Sequence, residues 1–209
     1  MMIPRIRHLA IASILLLPLF VTKASPFEGT VQVQFESHGE QDSLTFKARK
    51  GKVRFEHPEM AGMGYGIMDF QNNEMVVVIP SQRMYMRHTM EEDSETDDGE
   101  LERTGETLEI LGHRAELYIY RDSDSMTEIW VTDELGRFFI SPDPSTAENQ
   151  TQAMRELLDR DVFLLKVVSR DLDGNLESSL EVTDIRPGSI PASEFEIPGG
   201  FREMQMPTF

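Results

Sequence analysis

Phe27-Glu28-Gly29-Thr30-Val31-Gln32-Val33-Gln34-Phe35-Glu36 is the stretch that decides the fold. Phe27, Gly29, Val31, Val33 and Phe35 alternate with polar neighbours. Successive side chains of a strand point to opposite faces, so this period of two describes a half-buried strand with one wet face. The pattern continues outward. Leu44, Phe46 and Ala48 alternate with Thr45 and Lys47, and Val53 and Phe55 alternate with Lys52, Arg54 and Glu56. Arg49-Lys50-Gly51 between them is short enough for a hairpin with Gly51 at the bend. Tyr65 to Phe70 reads as a strand, and Gln71-Asn72-Asn73 as a turn. Glu74 to Ile79 is a more continuous apolar run, as expected of a central strand. Arg83 to Met90, Glu106 to Ile110, Arg114 to Arg121, Met126 to Thr132, Val162 to Arg170 and Asn175 to Ile185 are further strands, with Asp173-Gly174 as the last hairpin turn. Short turns between consecutive strands imply an antiparallel meander.

One segment breaks the period. Ser145 to Asp161 places Ala147, Met154, Leu157 and Leu158 at helical spacing, and Ser145 followed by Glu148 fits a capping box. A sheet of about ten strands must curl or be covered to hide its apolar face, and one helix cannot cover it all. The expected fold is therefore α+β, mostly β: a curved antiparallel half-barrel of about ten strands, with the helix Ser145 to Asp161 across its apolar face. Such a hollow suits a small apolar ligand or an acyl chain.

Arg5, Arg7 and His8 precede an apolar run from Leu9 to Phe20, followed by Val21-Thr22-Lys23-Ala24-Ser25. This reads as a secretory signal peptide over residues 1–24, cleaved between Ala24 and Ser25. A membrane anchor needs roughly 20 apolar residues, more than this run holds, and Pro18 would break its helix. Residues 25–209 then form one exported domain, expected to be soluble and periplasmic. The sequence contains no cysteine, which removes disulfides, thiolate metal sites and a lipid-bearing cysteine together. Loss of Arg5, Arg7 and Lys23 with the leader takes the net charge from −17 to −20. That charge repels phosphate backbones and anionic lipid surfaces, so neither nucleic-acid binding nor a stable membrane anchor is expected.

Seven acids crowd Glu91 to Glu100, and like charges at that density predict a solvated loop. Neither this loop nor Asp171-x-Asp173-Gly174-Asn175 has the spacing of a calcium loop. Glycine-rich phosphate loops, nucleophile elbows and His-Glu-x-x-His are absent, and no carboxylate pair stands out. The chain reads as non-enzymatic and without a cofactor.

Methionine is the unusual residue. Met60, Met63, Met68, Met75, Met84, Met86 and Met90 crowd one stretch, and Met84, Met86, His88 and Met90 fall on one side of one strand. Three readings compete. The methionines fill a core, they line an adaptable apolar cavity, or Met84, Met86, His88 and Met90 bind Cu(I) through soft thioethers. In the cavity reading Met68, Met84, Met86, Trp130, Phe163 and Leu165 form the wall, with a lipid or lipoprotein acyl chain as partner. A structural or envelope-stress domain, whose sheet edge receives a partner, is a further alternative.

Several pieces carry a family resemblance: Phe27-Glu28-Gly29-Thr30-Val31, Gly51-Lys52-Val53-Arg54, Ile67-Met68-Asp69-Phe70, Arg83-Met84-Tyr85-Met86, Ile129-Trp130-Val131-Thr132 and Phe195-Glu196-Ile197-Pro198-Gly199-Gly200-Phe201. In this order they resemble an uncharacterised bacterial exported family, the domain of unknown function 4412. That family is similar in architecture to the periplasmic outer-membrane lipoprotein carrier (LolA-like) superfamily. The resemblance implies a half-barrel closed by helices around a cavity for acyl chains. It carries over no functional residue. The acidic loop looks like an insertion, and fewer helices are legible here than the carriers have.

Overall fold

The computed structural model describes residues 26–37, 39–56, 64–89, 99–140, 157 and 160–204. These hold one sheet of twelve strands. They are β1 (Gly29–Ser37), β2 (Glu40–Arg49), β3 (Lys52–Glu56), β4 (Tyr65–Asp69), β5 (Glu74–Ile79), β6 (Met84–Thr89), β7 (Glu100–Ile110), β8 (His113–Arg121), β9 (Ser125–Thr132), β10 (Phe163–Asp171), β11 (Leu176–Pro187) and β12 (Arg202–Glu203). The spatial order is β12-β6-β5-β4-β3-β2-β1-β11-β10-β9-β8-β7. Every pairing is antiparallel except the short β12 on β6. The expected single meander is thus two meanders, β1 to β6 and β7 to β11, joined where β11 pairs with β1.

This topology forbids a flat sheet. Strands β6 and β7 stand ten strand positions apart. At about 4.8 Å per position they would lie about 48 Å apart in a plane. The chain from Thr89 to Glu100 reaches at most about 40 Å fully extended. The sheet must curve to bring them together, and its β-bulges supply local bends. Register shifts occur at Gln32/Val33, Arg103/Thr107, Leu164/Lys166 and Ser169/Arg170.

Strand β1 has the expected alternation, with Val31, Val33 and Phe35 buried and Gln32 and Gln34 exposed. The β2–β3 hairpin bends at Lys50 and Gly51, both at positive φ (49° and 79°). That pair of left-handed residues suits the tight turn whose twist matches the flanking strands. Between β10 and β11, Asp171 accepts hydrogen bonds from the amide and side chain of Asn175, both at 2.8 Å.

Cross-strand register sorts the side chains into two faces. One face, here called inner, carries the main core: Val31, Val33, Phe35, Leu44, Phe46, Ala48, Val53, Met68, Leu180, Val182, Val167 and Ile129. Phe138, Phe139, Ile140 and Leu157 add to it, and Leu157 is helical and fully buried. Phe138 sits beside Phe163 in a parallel bridge. Its amide donates to the Val162 carbonyl (3.2 Å), and its carbonyl accepts from Leu164 (2.9 Å). The rings of Phe138 and Phe163 stack at 4.9 Å, Phe27 meets Phe163 edge-on at 5.0 Å, and Phe138 reaches Phe46 at 6.2 Å.

The outer face of β2 to β6 is covered by the C-terminal stretch, residues 188–204. Phe195 is buried against Ile67, Val76 and Val78, with Tyr65, Tyr85, Ile190, Ile197 and Phe201 around them. Glu194 receives Lys47 at 2.9 Å and Arg54 at 3.1 Å. Arg49 donates to the Ile190 carbonyl, and Glu28 accepts from the Ile190 amide at 2.9 Å. This strap explains a correction. Strand β5 is not central but third from one edge. Its apolar run is continuous because both of its faces have apolar neighbours: Val76 and Val78 meet the strap, while Met75 packs against the main core.

Most of the helix expected over residues 145–161 lies outside the described residues, as do the signal peptide, residues 91–98 of the acidic loop, Met60, Met63 and Met90. Glu100, expected at the end of that loop, instead opens β7, which begins six residues earlier than the sequence pattern indicates. Among the described residues β7 has no strand on its far side.

Candidate functional site

The inner face of β3 to β6 is the candidate site. In register, Val77 lies between Gly66 and Met86, and Met75 between Met68 and His88, while Ile79 faces Met84. Met84, Met86 and His88 therefore share one face, and the pairing adds Met75 and Met68 to it. The ring of Phe55 on β3 lies over Gly66, where any Cβ would collide with it. The glycine admits this close approach of the ring, and a side chain there would force the ring to move.

Exposure distinguishes the two faces. On the outer side Val76 and Val78 are buried beneath the strap, at 6% and 0%. On the inner side Met68 is buried, but Phe55, Met75, Val77, Ile79, Met84, Met86 and His88 are only half-buried. Half-covered thioethers and aliphatic groups can repack around an apolar guest at small cost, because methionine is unbranched and flexible.

The remaining expected wall residues separate. Phe163 and Leu165 are both fully buried in the main core. Leu165 is the extra residue of a bulge, between Leu164 opposite Val131 and Lys166 opposite Trp130. Trp130 does not join the methionines. It pairs with Lys166 and Leu117, and alternation turns it away from Ile129 and Val131. Trp130 is partly buried and packs against the main core, and the bulge lies on β10, so the alternation within β9 is unbroken.

The described residues include no group of three or more His, Asp and Glu side chains able to hold a metal. A metal here would need thioethers, and Met75, Met84, Met86 and His88 are a donor set of the kind cuprous ion accepts.

A separate pocket of about 130 Å³ opens at the end of the inner face, beside the β2–β3 turn. It is lined by Pro26, Phe27, Ala48, Val53 and Phe138 among others, with Lys52, Gln71 and Arg137 also contributing. Ligand pockets commonly run to roughly 300–1,000 Å³, so this one takes only a small group. Sequence reasoning passes over residues 137–140, although Phe138-Phe139-Ile140 is an apolar run of the kind that fills a core.

Next to this pocket Asp69 is buried, and it accepts from Lys52 at 2.9 Å and from the Asn72 side chain at 2.8 Å. Burial pushes its carboxyl up, but the hydrogen bonds from Lys52, Asn72 and the Gln71 amide outweigh this and hold it below the ordinary carboxylate range. A depressed folded-state pKa contributes stability above the unfolded value, about 3.9, and that contribution is lost as pH falls through the folded value. The thermal midpoint is therefore expected to fall between about pH 5 and 3, with part of the acid limb missing in Asp69→Asn. An identical acid limb in that variant, measured by calorimetry, would show that Asp69 contributes nothing to it.

Several solved structures are similar to this chain at low sequence identity. One of PNGF-II is 15% identical, with a TM-score of 0.48, and the match covers 83% of this chain and 30% of that one. An uncharacterized conserved protein from Thermus thermophilus is 11% identical, with a TM-score of 0.49, covering 85% of this chain and 90% of that one. A putative outer membrane lipoprotein-sorting protein domain from Vibrio parahaemolyticus is 9% identical, with a TM-score of 0.34, covering 80% and 87%. No curated protein matches the chain. The sequence profile of a domain of unknown function, DUF4412, matches residues 27–201, most of the chain and nearly all of its sheet, and the chain belongs to that family.

Proposed function

We propose that the inner face of β3 to β6 binds an apolar ligand, a lipid or lipoprotein acyl chain, in an exported periplasmic domain that performs no catalysis. The observation that carries the reading is the contrast between the two faces. The strap seals the outer side, and the inner side keeps a contiguous half-buried set of Phe55, Met75, Val77, Ile79, Met84 and Met86. Apolar groups in one patch are more informative than scattered ones. In this reading Met68, Met75, Met84 and Met86 form the wall, Phe163 and Leu165 belong to the packed floor, and Trp130 plays no part. No helix among the described residues is long and apolar enough to cross a membrane.

Protein purified from a periplasm should carry lipid visible by native mass spectrometry, and should take up a fluorescent fatty acid. Met86→Lys places an ammonium among the thioethers and should weaken uptake by about tenfold or more, since an unpaired charge resists desolvation. A clean apo mass with no uptake ends the proposal. The copper reading is separated by titration with Cu(I) against a competing chelator: tight binding that Met84→Leu/Met86→Leu abolishes would favour the metal over the lipid.

A further inference from the structure

We infer that the pocket at the end of the inner face is a binding site for a small carboxylate with an apolar tail, recognised by Arg137. The site goes beyond the acyl-chain reading and does not depend on the methionine face.

The pocket's wall is apolar and already ordered. Phe27, Ala48, Val53 and Phe138 line it, all 3–4% exposed, and Phe138 is fixed by its stack on Phe163. Its volume of about 130 Å³ is close to the roughly 150 Å³ of an engineered apolar cavity that holds benzene. A phenyl ring or a chain of about five carbons is therefore the largest tail it accepts.

Charge selects the head group. The chain has 37 Asp and Glu against 20 Lys and Arg, so a cation without a counter-charge is out of keeping with the rest of the surface. Lys52 at the same pocket is held by Asp69 at 2.9 Å. Arg137 is exposed, and no ion pair or side-chain hydrogen bond engages it among the described residues. Its main chain is pinned, since its carbonyl accepts from the Phe27 amide at 3.1 Å. A guanidinium on a fixed backbone, at the rim of an apolar pocket, offers a carboxylate two parallel hydrogen bonds. Gln71, also lining the pocket, adds a neutral polar group whose Nε2 donates to the Lys50 carbonyl at 3.3 Å.

Titration of the full domain with hexanoate and with phenylacetate, followed by amide NMR shifts, tests this. Both probes should saturate shifts at Phe27, Gly51, Gln71 and Phe138 below about 10 mM, and the tighter of the two identifies an aliphatic or aromatic tail. Arg137→Gln should weaken both by about fivefold, and Arg137→Lys by less, because the charge remains while the fork is lost. The neutral 1-hexanol should bind more weakly than hexanoate. Arg137 is exposed, so neither variant endangers folding. Met86→Lys should leave hexanoate binding unchanged, which keeps this outcome separate from that of the methionine face. Equal affinity for 1-hexanol and hexanoate, an unaffected Arg137→Gln variant, or no saturable shift at these residues would each overturn the inference.

Discussion

Phe163→Ala should destabilise the domain by about 3–5 kcal/mol, the range for removing a large aromatic side chain from a packed core. Phe163 is fully buried and its ring is shared. It stacks on Phe138 at 4.9 Å and receives Phe27 edge-on at 5.0 Å, and Phe138 in turn meets Phe46 on β2. These contacts tie the start of β10 to the N-terminal segment and to the first meander. Their loss acts on both meanders together, since within the sheet the two are joined by the β1–β11 pairing. Single domains are stable by roughly 5–15 kcal/mol, so a large fraction of the total is at stake. Urea denaturation should show the midpoint falling with little change in slope. Phe163→Leu should cost much less, because it keeps most of the volume. A loss under about 1 kcal/mol in Phe163→Ala would mean that the ring cluster does not hold the two meanders together.

Legibility in the sequence follows the range of the signal. Period-two alternation in Val31-x-Val33-x-Phe35 and in Leu44-x-Phe46-x-Ala48 depends on one wet face, and both strands are readable from it. Turn chemistry at Lys50-Gly51 and Asp173-Gly174 is local and is readable too. Placement of strands in the sheet is not local. Glu74 to Ile79 reads as central because continuous apolarity records two covered faces, and it does not record what covers them. Here one cover is Phe195, well over a hundred residues away. Strand β7 reads short because Gly105, at φ 77°, sits in its bulge and interrupts the alternation. The candidate site is half legible. Met84, Met86 and His88 share a face by alternation within one strand, whereas Met75 joins them through cross-strand register, which a single sequence does not state. Arg137 escapes a sequence reading because an exposed arginine has no local pattern. Its interest lies in lacking a counter-charge, among the described residues, beside an apolar pocket.

Phe195→Ala should release the strap, at an expected cost of about 3 kcal/mol. Phe195 is 7% exposed and is the strap residue buried together with Ile67, Val76 and Val78, while Ile190, Ile197 and Phe201 pack around them. These other apolar ties are only partly buried, and the rest are polar. Lys47 and Arg54 reach Glu194, whose carboxyl the Lys47 hydrogen bond holds below the ordinary range. Partly exposed ion pairs of this kind contribute about 0.2–1 kcal/mol, too little to hold the strap once the ring is gone. The effect should therefore be local before it is global, since weakly anchored segments open ahead of the core. The amides of Arg202 and Met204 report on it directly, because they bond to the Arg83 and Tyr85 carbonyls at 3.0 and 2.8 Å. Their hydrogen exchange should accelerate by about a hundredfold, the equivalent of about 3 kcal/mol, while amides of β1 and β11 change far less. Opening also bares the β6 edge, and an unpaired strand edge is a template for association, so the variant should self-associate at concentrations where the parent is monodisperse. Unchanged exchange at Arg202 and Met204 would show that the remaining ties suffice. In that case the continuous apolar run of β5 would owe its outer cover to the rest of the strap, chiefly Ile190, Ile197 and Phe201, and not to the single ring.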